Sequence, residues 1–152
     1  MTDPVSFTAA TPRYVLPNLF TAQAQKEFTI NEAHARLDIL LHPAVEGEAN
    51  VPPVTPPDGA TWIVGSTPSG DWADNAGDLA SWQAGNWVFV SPQPGMQVFD
   101  QAARVTARFD GVWQYAATVS APSGGTTEDT EARAAITGLI AALVSAGILP
   151  AV

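Results

Sequence analysis

Leu79-Ala80-Ser81-Trp82-Gln83-Ala84-Gly85-Asn86-Trp87-Val88-Phe89-Val90 decides the fold. Two runs rich in aromatic and β-branched residues flank Gly85-Asn86, the pattern of a β-hairpin. The device returns at Thr106-Ala107-Arg108-Phe109, Asp110-Gly111 and Val112-Trp113-Gln114-Tyr115. Asp-Gly is among the strongest two-residue turn signals. Side by side, Trp82-x-x-Gly85-x-Trp87-x-Phe89 parallels Phe109-x-Gly111-x-Trp113-x-Tyr115, with one residue fewer in the second turn. One hairpin unit is weakly repeated, too briefly for a propeller or solenoid.

Further strands are expected on either side of the first hairpin. Thr61-Trp62-Ile63-Val64 reads as a short strand closed by Gly65, and Gln97-Val98-Phe99 as another after the turn signal Pro94-Gly95. Residues 44–119 therefore read as a small antiparallel, Trp-rich β domain. Its first part, residues 44–58, reads as a linker or extended loop, because Pro52-Pro53 and Pro56-Pro57 favour polyproline geometry.

Helical signals flank the β domain, and the fold class expected is α+β. Residues 1–19 carry Pro4, Pro12 and Pro17 and read as an extended arm. Residues 20–43 read as a helical segment. A turn over 21–27 leads to a helix capped near Thr29 by the Thr29-x-x-Glu32 box, with Phe28 and Ala33 as staple. Its apolar stripe is Ile30, Ala33, Leu37, Leu40 and Leu41, and Pro43 ends it. Residues 120–152 hold a Ser123-Gly124-Gly125 tether, a cap within Thr126 to Asp129, and acids suited to a first helical turn. Ala132, Ala135, Ile136, Leu139, Ile140, Leu143 and Val144 follow, with Gly147 as C-cap and Pro150 as stop. So apolar a helix must pack on the β domain or on copies of itself. Ile136, Leu139, Leu143 and Ala146 fit heptad spacing, compatible with a short three-helix bundle.

Composition narrows the function classes. The chain has 152 residues and a net charge of −9, from 15 acidic against 6 basic residues. That balance argues against a nucleic-acid binder, which needs a basic stripe. Cysteine is absent, so disulfides and thiolate metal sites are excluded. The first residues lack a basic region followed by an apolar one, and no apolar run reaches membrane-spanning length, so neither secretion nor membrane insertion is expected. No nucleophile elbow, zinc-protease motif or phosphate loop is present, and no catalytic residue, metal or cofactor is expected. His34 and His42 lack a third ligand nearby in the sequence. Asp71, Asp74, Asn75 and Asp78 crowd one loop, but their spacing misses the calcium-loop rule and suits ordinary turns.

Two surfaces remain as candidates. The first is the block Gln23-Ala24-Gln25-Lys26-Glu27 and Asn31-Glu32, which holds the sole lysine and many amides and carboxylates. Such groups are costly to bury unpartnered and suit a docking surface. Gln23, Gln25, Lys26, Glu27 and Asn31 are its candidate attachment residues, joined by Ile136, Leu139 and Leu143 for self-association. The second surface is aromatic. Tryptophan faces stack on sugar rings while nearby amides and carboxylates bond the hydroxyls. Trp72 and Trp82, with Asp71, Asn75 and Asn86, form the candidate sugar site. Trp62, Trp87 and Trp113 are assigned to the core, and Trp72 to either place.

The run Leu16-Pro17-Asn18-Leu19, Gln23-Ala24-Gln25-Lys26-Glu27, Asn31-Glu32-Ala33 and Leu37-Asp38 resembles a domain family of unassigned function from tailed phages, prophages and gene transfer agents. The resemblance continues through Pro56-Pro57-Asp58-Gly59, Gly70-Asp71-Trp72-Ala73, Leu79-Ala80-Ser81-Trp82, Gly85-Asn86-Trp87 and Phe109-Asp110-Gly111-Val112-Trp113, over roughly residues 14 to 116. It implies a virion component, a tail fibre, baseplate spike or head spike, assembled in the host cytoplasm. It implies a homotrimer whose partners are other tail, baseplate or head-vertex proteins, with host surface polysaccharide as a further partner. Related chains often continue into long fibre regions, whereas this sequence stops at Val152, so a short fibre or adaptor is expected. The alternative is a carbohydrate-binding module, and an enzyme is not expected.

Overall fold

The computed structural model describes residues 16–19, 24, 26–127 and 129–151. Most of the extended arm expected over 1–19, and of the turn expected over 21–27, lies outside the described residues, as do Gln23 and Gln25.

In chain order the elements are α1 (Lys26–Leu40), β1 (Ala44–Val45), β2 (Glu48–Ala49), β3 (Thr61–Val64), β4 (Leu79–Gln83), β5 (Asn86–Val90), β6 (Gln97–Asp100), β7 (Val105–Phe109), β8 (Trp113–Tyr115) and α2 (Thr130–Ser145). A short 3-10 turn at Gly70–Trp72 lies between β3 and β4. The class is α+β.

The strands form two four-stranded sheets, ordered β1-β6-β7-β8 and β2-β3-β4-β5. Each is a three-strand antiparallel meander with a two-residue strand added in parallel at its first edge. The sheets are therefore mixed, which corrects the expectation of an antiparallel domain. The parallel strands come from residues 44–49, within the stretch read as a linker. The Phe99 and Gln101 amides donate to Pro43 and Val45 carbonyls, and the Ile63 and Gly65 amides donate to Gly47 and Ala49 carbonyls. One short segment thus staples both meanders. Two-residue strands carry no side-chain periodicity, so the pairing leaves no trace in the pattern.

Beyond the staple the chain folds over β3 through Asn50. Its side-chain carbonyl accepts the Thr67 amide at 3.0 Å, and its backbone carbonyl accepts the Ser69 amide at 2.9 Å. A Cβ at Gly65 would fall onto the Asn50 side chain, against its Oδ1, so any larger residue there must displace the Asn50 contacts.

The hairpin turn falls on Ala84-Gly85, one residue earlier than expected, because Gln83 pairs with Asn86. Both turn residues have positive φ, 50° and 79°, as a two-residue hairpin of the favoured hand demands. Asp58 accepts the Ala84 amide at 2.9 Å and holds the turn. The second loop spans three residues, since Phe109 pairs with Trp113. The repeat seen in sequence thus maps onto two cross-strand aromatic pairs. Trp82 and Trp87 meet edge to face at 5.0 Å, and Phe109 and Trp113 at 5.3 Å.

Alternation along β3, β4 and β5 splits the core in two. Ile63, Leu79 and Val90 join Val45, Val98, Met96 and Ala107 from the other sheet, closed at one end by Ile39 of α1. Burying a side chain such as Leu79 contributes about 1.5–3 kcal/mol. The other face of β3–β5 presents Trp62, Val64, Ala80, Trp87 and Phe89, and Trp72 covers it.

The helices differ from the sequence reading in informative ways. α1 begins at Lys26, so Thr29 and Glu32 lie inside it rather than at its cap. Glu32 instead pairs with Arg36 one turn later, at 2.9 Å. The buried anchor is Ile39, while the expected stripe residues Ile30, Leu37 and Leu41 face outward, Leu41 being 67% exposed. Leu40 of the expected stripe packs beside Ile39 against the same core, and the Gln83 side-chain amide donates to the Ala35 carbonyl at 3.3 Å.

α2 follows its sequence signals closely. The Asp129 side chain accepts the Ala132 amide at 2.8 Å as N-cap. At the other end the Gly147 amide donates to Val144 and the Ile148 amide to Leu143, with Gly147 at φ +67°. This is the Schellman closure. No described residue of α2 is buried. The helix touches the β domain at its C-terminal end, where the Thr106 amide donates to the Gly147 carbonyl at 2.7 Å.

Candidate functional site

Of the residues assigned to a sugar site, the structure takes Trp72 into the core. Trp72 has 0% of its surface exposed. It is seated against Trp87 at 5.0 Å and Trp62 at 6.2 Å, so neither face of its ring can receive a sugar. The Gly70–Trp72 turn folds the indole inward, where it covers the outer face of β3–β5. Asp71 stays exposed beside it. Asn75 turns its amide to the Ala73 carbonyl, and Asn86 turns its own to the Ala84 carbonyl, both at 3.0 Å. Those amides stabilise local turns. Trp82 remains half-buried on β4, in contact with Trp87.

A cleft that the sequence reading missed opens where the two meanders meet. Its volume is about 510 Å3, and Glu48, Asp78, Ser91, Phe109, Val112 and Trp113 line it. Glu48 comes from β2 at the staple. Asp78 and Ser91 stand just before β4 and just after β5, and the Ser91 hydroxyl donates to Asp78 Oδ2 at 3.2 Å. The Trp113 indole N–H donates to the Gly77 carbonyl at 2.8 Å, which fixes the ring at the edge of the cleft. Val112, in the β7–β8 loop, is 63% exposed at its rim. Asp78 is half-buried, and burial pushes its carboxyl above the ordinary value, an effect the Ser91 hydrogen bond partly offsets. In the sequence Asp78 is one of a run of loop acids, and Glu48 lies in the Pro-rich stretch read as a linker. What joins them is sheet topology, which no local pattern encodes.

A second carboxylate site is structural. Asp100 is buried and accepts the Tyr115 hydroxyl at 2.8 Å and the Ala103 amide at 2.8 Å. Burial, then the Asp100 carboxylate, pushes the Tyr115 phenol up, with Glu48 adding to it. Among the described residues no group of three or more His, Asp or Glu side chains lies close enough to hold a metal ion. No helix among them is long and apolar enough to cross a membrane.

The surfaces assigned to attachment and self-association are open. Lys26, Glu27 and Asn31 are exposed on α1. Phe28, 65% exposed, lies among them, next to outward-facing Ile30 and Leu37. On α2, Ile136 and Leu139 are exposed, Leu139 at 60%, and Leu143 is half-buried.

Residues 30–114 match a family described as Protein of unknown function (DUF2793). The chain belongs to that family. The matched stretch runs from the second turn of α1 into β8, so the family covers most of α1, the staple and both meanders, with α2 outside it. No curated protein and no solved structure matches the chain.

Proposed function

We propose that this DUF2793 protein is a structural component of a tailed-phage-like particle, a short fibre, spike or fibre adaptor that works as a homotrimer. α1 and the segment before it attach to the particle or organise the trimer, the twin-meander domain projects, and the α2 helices of three copies form a bundle. The particle assignment rests on the sequence resemblance to phage and gene-transfer-agent domains. The observation that carries the assembly is the state of α2. This helix of 16 residues contains Ala, Ile, Leu and Val on most of its surface and buries none of them. Leaving such a helix in water forgoes about 1.5–3 kcal/mol for each large side chain that a partner helix would cover. Ile136, Leu139 and Leu143 supply the seam, at the spacing of a coiled-coil core. The outward stripe of α1, from Phe28 to Leu41, gives the same chain a second surface in need of cover.

The test is sedimentation equilibrium of the purified full chain at micromolar concentration. A trimer is expected, and Leu139→Asp should shift it to monomer while the near-ultraviolet signal of the tryptophan cluster stays native. A strictly monomeric wild-type chain would overturn the reading.

A further inference from the structure

We propose that the cleft between the two meanders is a site for an organic cation, taking a lysine or arginine side chain presented by a neighbouring protein. Two carboxylates, Glu48 and Asp78, line it, and no Lys, Arg or His side chain does. The chain as a whole carries 15 acids against 6 bases, so it has little charge of its own with which to answer them. Asp78 is half-buried, and its described hydrogen-bond partner is the neutral Ser91 hydroxyl. A partly desolvated carboxylate with a neutral partner gains more from a fixed cation than an exposed one does.

The rest of the lining fits the stem of such a side chain. Lys and Arg lay their methylenes along apolar surface while the charged head seeks an anion. Phe109 and Val112 offer that surface here. Trp113 adds a ring whose N–H is already committed to Gly77, which fixes the plane, and a cation near an indole face gains further attraction. A neutral sugar could use the same ring but would leave two carboxylates without a counter-charge. Charge complementarity therefore selects the basic side chain.

The experiment follows backbone amides and tryptophan indoles of the 15N-labelled full chain by NMR. The probes are Nα-acetyl-lysine methylamide, Nα-acetyl-arginine methylamide, glucosamine and N-acetylglucosamine. The two basic amino-acid probes should give saturable shifts at the Trp113 indole and at the Gly77 and Ser91 amides. Asp78→Asn, which keeps an acceptor for Ser91, and separately Glu48→Gln should each weaken them about tenfold or more. Added salt should weaken them too. Tighter binding of glucosamine than of either amino-acid probe would overturn the side-chain occupant in favour of an amino sugar. Equal binding of N-acetylglucosamine, insensitive to Asp78→Asn, would overturn the cation site altogether, as would no saturable shift with any probe.

Discussion

Trp72 shows how one residue decides between ligand and core. Its sequence setting, Gly70-Asp71-Trp72-Ala73-Asp74-Asn75, holds two aspartates and an asparagine, residues mostly found exposed. The backbone overrides it, turning Trp72 inward to roof the aromatic face while its neighbours stay wet. The indole N–H is carried inside without a hydrogen-bond partner among the described residues. That makes the two obvious substitutions diverge. Trp72→Ala should cost about 3–5 kcal/mol, as truncation of a large buried aromatic does. Trp72→Phe keeps most of the ring contacts and removes a buried donor whose desolvation costs about 1–3 kcal/mol. It should therefore cost well under half as much in urea titrations. Equal losses would show the N–H to be engaged. Ala84 is the residue-scale counterpart in the backbone. A non-glycine residue at φ +50° is legible only once the register is known, and the Gly85-Asn86 pair draws the eye one position too far.

Among the elements, those with long periodic patterns could be read and the short ones could not. β3 to β8 follow from β-branched and aromatic runs set between Gly, Pro and Asp turns. α2 follows from its caps, because Asp129 and Gly147 have the chemistry that helix ends require. β1 and β2 are too short for a pattern, and they carry the pairing that makes two sheets one domain. α1 turns a different edge inward from the stripe its spacing suggests: Ile39 is the buried anchor, with Leu40 of that stripe packed beside it, while Ile30, Leu37 and Leu41 face outward. The cleft was missed for the same reason as the staple, since its walls are joined by topology alone. α2 supplies the prediction at this scale. Gly147 closes the helix and accepts the Thr106 amide, and a Cβ there would stand 3.1 Å from Phe99 Cε2. Gly147→Ala adds left-handed strain of about 1–2 kcal/mol to that contact. It should loosen the end of α2 from the β domain, read as faster amide exchange at Thr106 and over the last turn of the helix. The tryptophan core should keep its exchange protection. Unchanged exchange at Thr106 would show that the contact does not hold the helix.

The β domain is two three-strand meanders held by a shared staple, and the seam between them is where its electrostatics are least settled. Most carboxylates stand in water. Asp100 is buried but satisfied by two donors, whereas Asp78 is half-buried at the cleft with one neutral partner. This has a consequence for stability against pH. The folded-state pKa of Asp78 is raised, so its contribution to stability is fully present below its ordinary value and is lost as pH rises through the raised one. At neutral pH the ionised, partly desolvated carboxylate is a net cost. Asp78→Asn removes that cost and keeps an acceptor for Ser91. The variant should therefore melt higher than the wild type at neutral pH. The gain should shrink on acidification and vanish below about pH 4, where both side chains are neutral. Tyr115 does not confuse the measurement. Its pKa is raised too, so its contribution persists through neutral pH and is lost only in the alkaline range. A melting temperature of Asp78→Asn no higher than wild type at neutral pH would mean that Asp78 is already compensated within the chain. A gain at neutral pH together with lost binding of the lysine and arginine probes would have one cause. The same desolvation that costs the free protein stability would be what a cation relieves on entering the cleft.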